Sequence, residues 1–392
     1  MHIVVLGGGG IIGRVIALDL ARDDLEILIA DRDLAAAERT AKQVGRRARA
    51  AQVDVTDGEA LVRTLRGASA CVNSTQYYFN VDVMRACLQA GVPYVDLGGL
   101  FHVTRQQLEL DGAFRDAGLT SVLGLGSCPG VANVQAGWLG AMLDRVRSVR
   151  IYNGATLDEG ESLAWPYAIE TILDEISKPA MIFRGGKFLE APPLGEEEFF
   201  LFPEPIGWAK THLSLHSEVA TLPLSFAEKG IEECFFKITF FGYSEAALRK
   251  MAFLAQLGLA ETERVAVDGG SVRPRDVLLA QLRKVPQTRE KPRSKGFKDV
   301  ATIVEGVQGG RTVTLRADTS GGPNPEWGIS GGTLLVGVPP AVVARWLGSK
   351  RLSRPGVWAP EQVVEPELFF AELATRGFTT TLTRTETVAG PA

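Results

Sequence analysis

Cysteine is scarce: Cys71, Cys87, Cys128 and Cys234 stand far apart in 392 residues, with no CxxC among them. A disulfide scaffold is thereby excluded, and reduced thiols in a cytoplasmic protein are expected. No apolar run reaches the ~18–20 residues a membrane-spanning helix needs, so no membrane partner is expected. The opening Met1-His2-Ile3-Val4-Val5-Leu6 has no cationic stretch and runs straight into glycines, which reads as a buried strand and not a signal peptide. A strong charge of either sign is missing as well. Lys and Arg number 42 against 46 Asp and Glu, and the net charge of −4 removes the electrostatic reason for binding nucleic acid or an anionic membrane. There is no internal repeat, and no third ligand is suitably spaced beside His212 and His216, so no metal is expected.

What is present is an ordinary globular composition, 45% apolar and 22% charged, in a chain too long for one core. Up to residue 125, short apolar runs alternate with helical patterns, as in a doubly wound parallel sheet. Strands are predicted at His2–Leu6, Glu26–Ala30, Arg49–Val53, Ala70–Asn73, Pro93–Asp96 and Thr120–Gly124, with helices between them. Past Pro129 the rhythm changes to strand-like segments, including Ala180–Phe183, His212–Val219, Ile303–Val307 and Arg311–Ala317. Gly185-Gly186 and Gly309-Gly310 stand where hairpin turns belong. The expected fold is α/β: an N-terminal Rossmann sheet, an inserted α+β domain with a mixed, largely antiparallel sheet, and C-terminal helices returning to the first domain. The corresponding bounds are 1–128 with 331–378, and 129–330. The basic, proline-containing stretch Lys284–Lys298 reads as a solvated loop.

The run Gly8-Gly9-Gly10-Ile11-Ile12-Gly13 follows a strand and opens a helix. The first glycine of this spacing permits a tight turn, the second lets the backbone approach a pyrophosphate, and the third lets helix and strand pack closely. The free N–H groups and positive dipole end of the helix then face the phosphates. Asp31, closing the second strand, is placed to accept ribose hydroxyls and to repel a 2′-phosphate, which favours NAD. Arg32 beside it would accommodate that phosphate, so NADP stays open. Asp54 is placed near adenine, and Asn73-Ser74-Thr75 closes the fourth strand at the nicotinamide end.

The segments Asn73-Ser74-Thr75, Phe79-Asn80, Ala90-Gly91-Val92-Pro93-Tyr94-Val95-Asp96 and Gly126-Ser127-Cys128-Pro129-Gly130 resemble the saccharopine dehydrogenase (saccharopine reductase-like) family over nearly the whole chain. Lys178–Lys187 and Gly356–Glu361 look most like its lysine 6-dehydrogenase branch. The resemblance implies a Rossmann domain, an inserted substrate domain used for homodimer contacts, and a C-terminal return. It also implies Asp at position 128 in saccharopine and carboxynorspermidine enzymes and a small uncharged residue in lysine 6-dehydrogenases. Cys128 therefore leans toward the lysine type.

An amine dehydrogenase must hold an ammonium and remove its proton, because a lone pair drives hydride departure and a lysine-type amine has a pKa of ~10.4. Asp96, ending the fifth strand, is the first candidate, for catalysis and for substrate binding. With a strand period of two, His212, Ser214, His216 and Glu218 share one polar face, which makes His216 a candidate base and Glu218 its orienter. Arg184 is a candidate for a substrate carboxylate, though it flanks a hairpin turn, and Asp158, Glu159 and Glu161 could draw a cation inward. Cys128 opens a helix whose dipole would lower its pKa, but it reads as packing against the nicotinamide ribose. The expected activity is NAD(P)-dependent oxidation of an amino acid's CH–NH group, with the ε-amine of L-lysine first. A saccharopine or carboxynorspermidine-type imine reductase is the alternative, and a non-catalytic dinucleotide-binding regulator the alternative of another class.

Overall fold

The computed structural model describes residues 1–156, 167–240, 245–285 and 296–386. Six of the seven strands of the first sheet come from the N-terminal segment: β1 (His2–Leu6), β2 (Glu26–Asp31), β3 (Ala48–Gln52), β4 (Ala70–Asn73), β5 (Tyr94–Asp96) and β6 (Thr120–Val122). The second domain supplies β7 (Arg145–Ala155), β8 (Ala180–Arg184), β9 (Lys187–Ala191), β10 (Glu198–Leu201), β11 (Trp208–Leu213), β12 (Glu233–Ile238), the small hairpin β13 (Val265–Val267) and β14 (Gly270–Val272), β15 (Lys298–Gln308) and β16 (Arg311–Gly321). β17 (Gly356–Trp358) and β18 (Phe378–Glu386) close the chain.

The strands β1 and β4 are apolar on both faces because helices cover both, and every pairing in their sheet is parallel. Its order is β17-β6-β5-β4-β1-β2-β3. The direction of winding reverses between β1 and β4, so the crevice beyond their carboxyl ends is where a ligand collects. The seventh strand was not expected from sequence, since three residues carry no periodicity. The returning helix Gly331–Gly348 lies so close to helix Ile11–Leu20 that a Cβ on Gly337 would come within 2.6 Å of Val15. Buried Asp19 ties that return down, accepting from Arg345 at 3.0 Å and from Arg376 at 2.9 Å.

The nine-stranded second sheet runs β10-β11-β12-β7-β15-β16-β18, with β8 attached to β12 and β9 to β8. Only β12 and β7 pair in parallel; the other pairings are antiparallel. Gly185-Gly186 and Gly309-Gly310 all take positive φ, as the two-residue hairpin turns require. Two segments differ from expectation. β11 stops at Leu213, the chain turns through residues 214–217, and Glu218 opens the helix Glu218–Ser225; its carboxylate in the first turn suits the helix dipole. Lys298, expected in a solvated loop, instead begins β15 and is buried. No helix among the described residues is long and apolar enough to cross a membrane.

Candidate functional site

The glycine turn after β1 divides its tasks differently from the expectation. Gly7, not Gly8, makes the tight turn, with φ +70° and Ser74 O lying 2.9 Å from where a Cβ would sit. A Cβ on Gly8 would meet the Ile29 side chain at 2.6 Å, so Gly8 serves strand packing. Gly13 is the most confined: a Cβ would lie 2.2 Å from Gly7 O and 2.7 Å from Gly8 Cα. Around Gly10 the only such neighbour is Gly7 O at 3.2 Å, leaving the approach at the N-terminus of helix Ile11–Leu20 open. Asp31 binds the turn itself, its carboxylate accepting from Gly9 N and Asp33 N, both at 3.0 Å. The free N–H groups of the helix, the open face at Gly10 and a carboxylate beside the turn fit a dinucleotide: Gly10, Ile11, Ile12 and Gly13 against the pyrophosphate, Asp31 and Arg32 at the adenosine ribose. Asp54, which accepts from Thr56 N and Thr56 Oγ1, is exposed beside this end.

Beyond β4 the polar side chains turn inward. Asn73 donates to Asn80 Oδ1 at 2.9 Å and accepts from Thr75, while Ser74 Oγ donates to Leu6 O at 2.6 Å. Asn73, Ser74 and Thr75 thus shape the wall of the glycine turn. Immediately afterward Tyr77 reaches across to the second domain and donates to Asp174 Oδ2 at 2.7 Å. This contact bridges the two domains at the carboxyl end of β4.

Behind that bridge lies a cluster of buried titratable groups. His216 Nδ1 is 2.5 Å from Glu218 Oε2, and Phe236 stacks on the imidazole at 3.9 Å between ring centroids, fixing its plane. Burial pulls the His216 pKa down, but the charge and hydrogen bond of Glu218, with Glu175 adding to them, outweigh burial and the net shift is upward. Glu175, on helix Ile169–Ser177, accepts from Tyr167 at 2.5 Å; burial pushes its pKa up to about 7 against the opposing pull of His216. Lys298 is driven down to about 8 by burial, with Cys128, Asp299 and Glu175 resisting. Burial first, and then the charge of Glu218, holds the Cys128 thiol well above its usual range; the helix-dipole expectation is overruled. Strand β15, helix Ile169–Ser177, the turn after β11 and the turn after β6 each contribute one part of this cluster.

The structure joins His216 to Glu218 as expected, but through a turn and a helix start instead of a shared strand face. His212 lies apart, near Glu197 and Glu245, and takes no part in the cluster. Asp96 is corrected from catalytic and substrate-binding group to positioning residue. It is fully buried, and its oxygens accept from Gly98 N, Gly124 N, Tyr94 OH and Gln107 Nε2 at 2.5–2.9 Å. The Gly98–Gly99 loop it holds in turn makes the next contact, Gly99 N donating to Ser217 Oγ at 3.2 Å, beside His216. Arg184 is corrected as well: it sits on an exposed hairpin, paired bidentately with Glu196 at 2.9 Å. Asp158, Glu159 and Glu161 lie outside the described residues. Sequence reading missed Glu175, Tyr77 and Lys298. Only the last carried a usable signal, since Lys298-Asp299-Val300 leads into an apolar strand pattern.

A Rossmann crevice facing a second domain, with groups tuned near neutrality between them, defines a nicotinamide-dinucleotide-dependent oxidoreductase. The saccharopine dehydrogenase NADP binding domain matches residues 3–122, and the saccharopine dehydrogenase C-terminal domain matches residues 126–378. The chain belongs to the saccharopine dehydrogenase family. It is 26% identical to carboxyaminopropylagmatine dehydrogenase of Synechocystis sp. over 391 residues, 96% of each chain. Carboxynorspermidine synthase of Vibrio cholerae is 28% identical over 337 residues, 79% of each. The apo saccharopine dehydrogenase (L-Glu forming) of Saccharomyces cerevisiae shares the fold, with a TM-score of 0.72 over 97% of this chain and 99% of that one at 17% identity.

Proposed function

We propose that the protein interconverts an imine and a secondary amine, joining an amine to a carbonyl compound that carries a carboxylate. The observation that carries this reading is the buried cluster of Glu175, His216–Glu218 and Lys298 against the loops that follow β5 and β6. The bound nicotinamide supplies or accepts a hydride. In the reducing direction one proton and one hydride add across C=N, and the dinucleotide leaves oxidised. An imine takes hydride readily only as iminium, so a donor titrating near neutrality is needed, and in reverse the same group takes the proton from the amine. Burial lowers Lys298 to about 8, and His216 is held up against burial by its pair with Glu218, so these two are the candidates to hold such a proton. The likeness to enzymes named for carboxyaminopropylagmatine, over 96% of the chain, and carboxynorspermidine, over 79%, supports the imine reading over oxidation of the lysine ε-amine. The lysine reading retains one observation in its favour, the uncharged thiol of Cys128. For the cofactor, Asp31 favours NAD and exposed Arg32 admits NADP.

Absorbance at the reduced-nicotinamide band separates the readings. L-Aspartate β-semialdehyde mixed with agmatine or 1,3-diaminopropane should consume NADPH or NADH. Faster reduction of NAD by L-lysine alone would replace this reading with the second.

A further inference from the structure

Asp174, on helix Ile169–Ser177, and Arg275, in the first turn of helix Pro274–Leu282, form an ion pair at 2.9 Å, and both are buried. Arg275 also donates to the Glu170 carbonyl at 2.9 Å, which fixes the guanidinium plane. Tyr77 closes the remaining oxygen of Asp174, and Lys178, half exposed, lies 3.2 Å from Asp174 and 3.4 Å from Tyr77 OH. Tyr78 packs beside Tyr77, with centroids 4.4 Å apart. Burying such a pair is not a route to stability, because desolvation of both charges offsets most of their attraction. A different use fits its place. The array stands at the carboxyl end of β4, one residue along the helix from Glu175, and opens to solvent at Lys178.

Its charge selects what enters. Asp174 faces two cations, Arg275 and Lys178. A simple diamine would bring more positive charge against that excess, and a simple carboxylate would leave Asp174 without its share of compensation. A group carrying both charges can insert between Asp174 and Arg275 without leaving either uncompensated, which matters at a buried site where an unpaired charge is strongly disfavoured. We infer that Asp174, Arg275 and Lys178 form the subsite for the α-amino-acid end of the substrate. The ammonium rests on Asp174, the carboxylate on the planar fork of Arg275 and on Lys178, and Tyr77 yields its hydrogen bond as the ligand enters. This deepens the proposed function and rests on it for the class of substrate.

The test is calorimetric titration of the NADP⁺-loaded enzyme with two pairs of probes: L-2,4-diaminobutyrate against 1,3-diaminopropane, and L-lysine against cadaverine. Each pair differs only by the carboxylate. Wild type should favour the amino acid by about 10–100-fold, the range set by hydrogen bonds between charged groups. Arg275→Gln should abolish that preference while the diamines bind as before. Lys178→Gln, half exposed and safe for folding, should reduce it several-fold, which keeps the inference testable if Arg275→Gln does not fold. Equal binding within each pair, a preference for the diamines, no binding of any probe, or an intact preference in Lys178→Gln and a folded Arg275→Gln overturns the subsite. Turnover is read separately. Amino-acid preference without dinucleotide oxidation by any imine mixture would reject the proposed reaction, whereas equal turnover with aldehydes lacking the amino-acid group would reject the subsite alone.

Discussion

Two glycines three residues apart, Gly10 and Gly13, should fail in opposite ways when given a side chain. At Gly13 a Cβ would sit 2.2 Å from Gly7 O and 2.7 Å from Gly8 Cα, both backbone atoms that no rotamer change can move. Gly13→Ala must therefore push helix Ile11–Leu20 away from β1, and overpacking of this kind costs about 1–3 kcal/mol or more. For a domain of 150–250 residues that lowers Tm by about 2–4 °C per kcal/mol. Gly10 has ordinary extended backbone, φ −76° and ψ 174°, and one neighbour at 3.2 Å. Gly10→Val should fold with the loss of about 1 kcal/mol of helix capping, while its side chain fills the path of the pyrophosphate. The assay is thermal unfolding with and without dinucleotide. Ligand at a hundred times Kd stabilises wild type by about 2.7 kcal/mol; Gly10→Val should show almost none of this, and Gly13→Ala should start lower without ligand. A Gly10→Val protein that keeps the ligand-induced rise, or a Gly13→Ala protein as stable as wild type, would refute the assignment of the cradle.

Three further outcomes are expected. His216→Gln and Glu218→Gln should each lower kcat by ~10²–10⁴, the usual loss on removing a positioned acid or base, while Arg184→Ala leaves kcat unchanged; steady-state kinetics decides it, and equal loss in Arg184→Ala would contradict the placement. Lys298, titrating at about 8, must be neutral to accept a proton, so amine oxidation should climb as pH rises through about 8 and level off above it; in Lys298→Met that limb should vanish from the kcat profile. The pKa of Glu175 is raised in the fold from 4.5 to about 7, so its protonated form stabilises fully below pH 4.5 and that contribution is lost as pH rises through 7. Glu175→Gln should thus match wild type near pH 4.5 and exceed it at pH 8 by about 3 kcal/mol, at ~1.4 kcal/mol per pKa unit; denaturant unfolding at both pH values measures it, and a constant difference would show the carboxyl to be ionised throughout.

The sequence by itself determined the first domain. Val4, Val5, Ile27 and Ile29 make strands buried on both faces, glycine spacing leaves one way to join β1 to its helix, and Asp31 follows at the end of β2; each of these acts over a few residues. It also determined the hairpin turns, because paired glycines alone adopt consecutive positive φ at no cost. The acid–base cluster was decided by tertiary structure. Glu175, His216, Glu218 and Lys298 come from segments up to 123 residues apart, and each looks like surface when read locally: a helix charge, a strand face, the end of a basic loop. What makes them a site is shared burial, which raises the Glu175 carboxyl to about 7 and lowers the Lys298 ammonium to about 8, and burial is a property of the packed sheet and helix and of no single segment. Asp96 shows the converse. Its place at the end of β5 was legible, but whether a carboxylate there meets a substrate or is consumed by four hydrogen bonds depended on where the loops at Gly98 and Gly124 came to rest.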